Sequence, residues 1–108
     1  MPDELPGRLP LDDPHAPLYS VGQVADMLGV QAAFVRRLDT EEVVQPARSP
    51  GGQRRYSRED IHLVQAVSTM AGEGMTLPGI RRILELEAEV ASLEATVARL
   101  RGRLRERR

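Results

Sequence analysis

The sequence predicts a mostly α chain in three parts: a helix–turn–helix, a β-hairpin wing behind it, and a C-terminal coiled-coil dimerisation helix. Three observations carry this. Two short amphipathic stretches meet at Gly29, a residue type that takes the left-handed conformation cheaply and so ends a helix. Ser49-Pro50-Gly51-Gly52 is a strong turn signal between two extended pieces. Ile83, Leu86, Val90, Leu93, Val97, Leu100 and Leu104 recur at alternating steps of three and four, the a/d stripe of a coiled coil.

A chain of 108 residues holds one small domain and an appended element. Tyr19, Phe34 and Tyr56 are its only aromatics, so the core must be aliphatic. So little surface is buried at this size that oligomerisation is expected. No cysteine is present, which excludes disulfides, thiolate metal ligation and thiol redox sensing. His15 and His62 are too few and too far apart to suggest a metal site, and no cofactor is expected. No apolar run approaches the roughly 20 residues of a membrane span. The proline-rich, acidic N-terminus lacks a hydrophobic signal core. The expectation is a soluble, cytoplasmic protein without a membrane partner.

The net charge of −1 conceals a segregation. All fifteen basic residues are arginine. Residues 1–17 carry Asp3, Glu4, Asp12 and Asp13 against Arg8 alone. Residues 48–58 carry Arg48, Arg54, Arg55 and Arg58 and no acid. Residues 99–108 carry six arginines and one glutamate. A local basic patch of this kind is the electrostatic footprint of a polyanion partner, whatever the whole-chain sum.

Residues 1–17, with five prolines and scattered acids, are expected to form a disordered tail, because they cannot bury enough apolar surface to offset ordering. A domain over 18–84 follows. Ser20 with Gln23 reads as a capping box opening a helix to Leu28, with Val21, Val24, Ala25 and Leu28 on one face. A second helix over about Ala32–Glu41 turns Val35 and Leu38 inward, flanked by Val30 and Phe34. Gln31, Ala33, Arg36, Arg37 and Thr40 then face outward. Val43 and Val44 begin an extended piece, and Pro46 forbids further helix. Gln53 to Tyr56 is the returning strand, which completes a winged layout. Two-residue spacing puts Arg54 and Tyr56 on one face and Arg55 on the other. An arginine fork grips phosphate bidentately, and a tyrosine hydroxyl can donate to it. A core position beneath the hairpin is the alternative for Tyr56.

The run Tyr19 to Ala25, then Gly29, Arg36, Asp39, Pro46 and Gly52-Gln53-Arg54-Arg55-Tyr56-Ser57, resembles the N-terminal domain of the MerR family of bacterial transcription regulators. Glu73 to Leu77, with Ile80 and Leu84, is similar to that family's next helix. The double glycine, the short chain and the bare coil look most like its heat-shock-repressor branch. The resemblance implies a winged helix–turn–helix homodimer on double-stranded DNA, at an inverted-repeat operator. It implies Arg36 as the recognition-helix contact, and Arg54 and Tyr56 as wing contacts to phosphate. The family usually carries tyrosine where Leu38 stands and glycine where Glu42 stands. Arg37 occupies a place that is often aromatic. No residue chooses between repression and activation; the branch resembled favours a repressor, and it makes a chaperone or similar protein regulator conceivable.

Ser57-Arg58-Glu59-Asp60 caps a third helix to about Gly72 and puts acids in its first turn, where the helix dipole favours them. Ile61, Val64, Val67 and Ser68 form its inner side. Thr76 caps a further helix to about Leu84, with Pro78 and Gly79 tolerated in its first turn. The coil occupies 85–108. Its glutamates (Glu85, Glu87, Glu89, Glu94) precede its arginines (Arg99, Arg101, Arg103, Arg105, Arg107, Arg108). An antiparallel homodimer centred near Ala95 sets Glu87 near the partner's Arg101 and Glu89 near the partner's Arg103, with Val90 on Leu100 and Leu93 on Val97. A parallel pair stacks like charges. The one conflict is Glu94 against Glu94 at the axis.

The expected function is therefore DNA binding by Gln31, Arg36 and Arg37 at base edges and by Arg48, Arg54, Arg55, Tyr56 and Arg58 on phosphate. The alternative is an adaptor whose coil docks a partner helix; it leaves the arginine wing without a role. An enzyme is not expected, because no paired-carboxylate, Cys/His or Ser/His constellation is present.

Overall fold

The computed structural model describes residues 12–107. Its elements are α1 (Val21–Leu28), α2 (Ala32–Thr40), β1 (Ala47–Arg48), β2 (Arg54–Arg55), α3 (Arg58–Gly72) and α4 (Leu77–Glu106). Both capping boxes form as expected. The Ser20 hydroxyl accepts from the Gln23 amide while the Gln23 side chain accepts from the Ser20 amide, and Ser57 and Asp60 repeat the pattern at α3. Gly29 turns α1 into α2 with φ of 66°, and the two helices pack against each other directly.

The core is aliphatic apart from one aromatic. Val24, Val35, Leu38, Val64, Val67, Ile80 and Tyr56 are fully buried, drawn from α1, α2, α3, the start of α4 and the end of the wing. Fully burying a Val, Leu or Ile side chain stabilises by about 1.5–3 kcal/mol, so these few residues hold the helices to one another. Leu38, where the family usually has tyrosine, is part of this core.

Three expectations are corrected. Val43 and Val44 do not start a strand. Both of their amides donate to the Leu38 carbonyl, so they finish α2 as a buried turn, and the strand begins later, at Ala47. Glu42 sits in that turn with φ of 60°, in the left-handed region that favours glycine. The two helices expected over 77–84 and 85–108 are one unbroken helix of 30 residues. Its Thr76 cap accepts from the Gly79 amide, and Pro78 lies in the first turn, where no intrahelical bond is lost. The expected tail divides: residues 1–11 lie outside the described residues, whereas 12–17 are held to α3. Arg58 donates to the Asp12 carbonyl at 3.1 Å, and the Glu59 amide donates to the Pro14 carbonyl at 3.0 Å.

Among the described residues no helix is long and apolar enough to cross a membrane. Beyond its first turns α4 leaves Leu86, Val90, Leu93, Val97, Leu100 and Leu104 between 41% and 60% exposed. Ile83, at the head of the stripe, is half-buried.

Candidate nucleic-acid interface

The wing is short. β1 and β2 pair antiparallel with Ala47 opposite Arg55 and Arg48 opposite Arg54. Gly52, with φ of 85°, makes the reversal, and the Ser49 hydroxyl and carbonyl secure the turn by accepting from the Gln53 and Gly52 amides. The wing folds back beside α2. Together they enclose a cleft of about 270 Å³ lined by Ser20 and Val21 at the start of α1, Arg36 of α2, and Arg48, Gly52, Gln53, Arg54 and Arg55 of the wing. Four arginines from three elements thus converge on one concavity that also faces a helix N-terminus, a combination suited to an anion.

Each arginine stands differently. Arg36 is exposed on α2 and has no carboxylate partner among the described residues. Arg37, one residue on, is tied to Glu41 at 2.7 Å across one helical turn. Gln31 is the N-cap of α2, but its side chain makes no capping bond, so its amide is available at the start of that helix. Arg55 donates to the Gln53 side chain at 3.0 Å and to the Arg54 carbonyl. Arg58 lies at the first position of α3 and is engaged by the Asp12 carbonyl.

Tyr56 is a correction. Its side chain is 0% exposed, and among the described residues its hydroxyl has no hydrogen-bond partner. Burial pushes the phenol up to about 12, with Arg54 opposing and Asp39 and Asp60 reinforcing the shift. It cannot reach a phosphate from this position. Instead its backbone pairs with Tyr19 in an isolated bridge, and its ring fills the space beneath the hairpin.

The residue that sequence reasoning did not assign is Asp39. It is 9% exposed near the end of α2. Its Oδ2 accepts from Arg48 Nη2 at 2.8 Å and from Arg54 Nε at 2.7 Å. One carboxylate therefore holds both strands of the wing at a single rung. The available signal was an acid directly after the inward-facing Leu38, which needs cations once it is buried.

The model of the MerR HTH family regulatory proteins matches residues 19–87. The chain belongs to the MerR family. It is 39% identical over 89 residues to "Putative heat shock protein HspR" of Streptomyces coelicolor, covering 82% of this chain and 59% of that protein. To the HTH-type transcriptional regulator GlnR of Bacillus anthracis it is 28% identical over 69 residues, 64% of this chain and 54% of that one. The chain thus spans less than two thirds of the length of these curated relatives. Among solved structures, MtaN, the N-terminus of the Bacillus subtilis multidrug transporter activator, superposes with a TM-score of 0.58 at 26% identity, over 82% of this chain and 89% of that one. HiNmlR, a MerR family regulator lacking the sensor domain and bound to promoter DNA, gives 0.57 at 22% identity, over 80% and 81%; at that identity the likeness concerns the fold. This MerR-family chain accordingly carries a DNA-binding regulator fold and not that of an enzyme, with the wing and the outward side of α2 on one basic face.

Proposed function

We propose that the chain binds an inverted-repeat promoter operator as an antiparallel homodimer and represses the promoter it occupies. The observation that carries this reading is the convergence of Arg36 with Arg48, Arg54 and Arg55 around one cleft. A base reader and a phosphate grip are then offered to the same duplex. Gln31 and Arg36, with Arg37 beside them, serve the major groove; Arg48, Arg54 and Arg55 set the register on the backbone, with Arg58 at the margin. Tyr56 contributes by supporting the wing from beneath.

The second copy is argued from α4. Six large apolar side chains in one exposed row are unusual on a monomer, and they fall at a/d spacing. In the antiparallel arrangement the flanking pairs are Glu87 with the partner's Arg101 and Glu89 with the partner's Arg103, each occurring twice. The 22 residues from Ile83 to Leu104 span about 33 Å. That separates two winged domains by a distance compatible with half-sites about one helical turn, roughly 34 Å, apart. Repression rather than activation follows from the resemblance to the heat-shock-repressor branch.

The test is a gel shift of genomic fragments at two salt concentrations with wild type, Arg36→Ala and Arg54→Ala. Loss of Arg36 is expected to relax the choice among fragments. Loss of Arg54 is expected to weaken all fragments alike. Failure of the wild-type chain to shift any fragment at low salt would refute the proposal.

A further inference from the structure

Arg48 and Arg54 face each other across the wing's two strands, and Asp39 accepts from both through a single oxygen. Arg48 also donates to the Gly52 carbonyl at 3.3 Å, so the same grip reaches the turn of the wing. Asp39 stands on α2, three residues after Arg36 and thus within one helical turn of it. It takes Arg54 through Nε, which leaves both Nη groups for a phosphate. From these contacts we infer that Asp39 is the positioning residue for sequence discrimination: it locks the wing to the recognition helix, so that a phosphate seated on the wing sets where Arg36 meets the base edges. This inference rests on the DNA-binding reading above.

The arrangement also has a charge consequence. Asp39 cancels one of the two positive charges it holds, so the Asp39–Arg48–Arg54 cluster presents a net of one to DNA. A carboxylate in a phosphate-binding face costs non-specific affinity, because it repels the backbone. Its position is understandable if rigidity is worth more than raw attraction. An unclamped wing would follow the backbone wherever it lay, and Arg36 would then meet bases in several registers. Each phosphate contact adds about 0.9 to the salt slope, whereas discrimination depends on how rigidly the reading side chain is held.

The experiment measures binding of the full chain to a preferred genomic fragment and to a random-sequence duplex across a salt series, by fluorescence anisotropy. Asp39→Asn is expected to tighten binding to the random duplex, steepen its salt slope by roughly 1–2 per dimer, and reduce the preference for the chosen fragment by about tenfold or more. A misfolded variant would lose both kinds of binding, which separates the two cases. The double variant Asp39→Asn with Arg48→Gln restores the net charge of the cluster. Its slope is expected to return to the wild-type value while its preference stays lost; recovery of preference would reduce Asp39 to a charge balance and overturn the inference. Should Asp39→Asn fail to fold by circular dichroism, Asp39→Glu keeps the charge and shifts the wing by one methylene. It is expected to lower preference at an unchanged slope. Wild-type preference in a folded Asp39→Asn, or in Asp39→Glu where Asp39→Asn does not fold, sinks the inference while leaving DNA binding intact. Absence of wild-type binding to either duplex sinks the function itself.

Discussion

Tyr56 makes the stability of this fold depend on alkaline pH in a way that can be isolated. Its buried hydroxyl has no partner among the described residues, and burial moves its pKa from 10.0 to about 12. Between those values the unfolded chain releases the phenol proton and the folded chain retains it. The unfolded state then binds fewer protons, so stability falls as pH rises through this window and is fully present below pH 10. At roughly 1.4 kcal/mol per unit, the total loss is about 2–3 kcal/mol, about half of it gone by pH 11. The composition makes the measurement clean. With no lysine and no cysteine, tyrosine is the only side-chain type expected to titrate in this range. Urea unfolding followed by far-ultraviolet circular dichroism, at pH 9 to 11.5 and one protein concentration, would compare wild type with Tyr56→Phe. The variant is expected to lack the alkaline loss. At pH 7 it should match wild type or exceed it by up to about 1 kcal/mol, since a buried hydroxyl without a partner is a cost and phenylalanine keeps the shape. Parallel loss of stability in both proteins above pH 10 would refute the reasoning.

Other outcomes follow from particular residues. Glu42 holds φ of 60°, so Glu42→Gly is expected to raise stability by about 1 kcal/mol through relief of left-handed strain; its exposed contact with Arg81 at 3.5 Å is too weak to offset this. A drop in the urea midpoint would contradict that view of the turn. For the dimer, Leu86→Cys with Leu104→Cys should give efficient disulfide-linked dimers through 86–104 pairing. Predominant 86–86 bridging in the Leu86→Cys single variant would instead indicate a parallel coil. In gel shifts, Arg36→Ala is expected to lower the preference among fragments by about 1–3 kcal/mol, while Arg54→Ala weakens binding uniformly.

Local signals were readable where the chemistry is local. Ser20 with Gln23 and Ser57 with Asp60 announce helix starts because the bonds they make span three residues. The stripe from Ile83 to Leu104 announces a long helix because its period is regular. The site was legible by residue type and less so by direction. Arg54 and Tyr56 were placed on one face by their spacing, but that side of the wing turns inward. Arg54 meets Asp39, and Tyr56 enters the core. Spacing along a strand states which residues share a face; it does not state which face is covered, and here α2 covers it. Asp39 escaped for the same reason: its partners lie 9 and 15 residues away, and no local periodicity joins them. Arg37 faces outward as its place on α2 implies, and its exposed pairing with Glu41, four residues on, is too weak to keep it from DNA. Residues 12–17 are too polar to offset their own ordering, and it is the Arg58 side chain and the Glu59 amide at the start of α3 that hold the Asp12 and Pro14 carbonyls.

The central claim is that the wing and α2 form one polyanion-binding face. Its most direct test is the salt dependence of wild-type binding to duplex DNA. With Asp39 cancelling one charge, about three to five phosphates are neutralised per subunit, so log K against log salt should fall with a slope of about −5 to −9 for the dimer. A slope near zero would contradict the account.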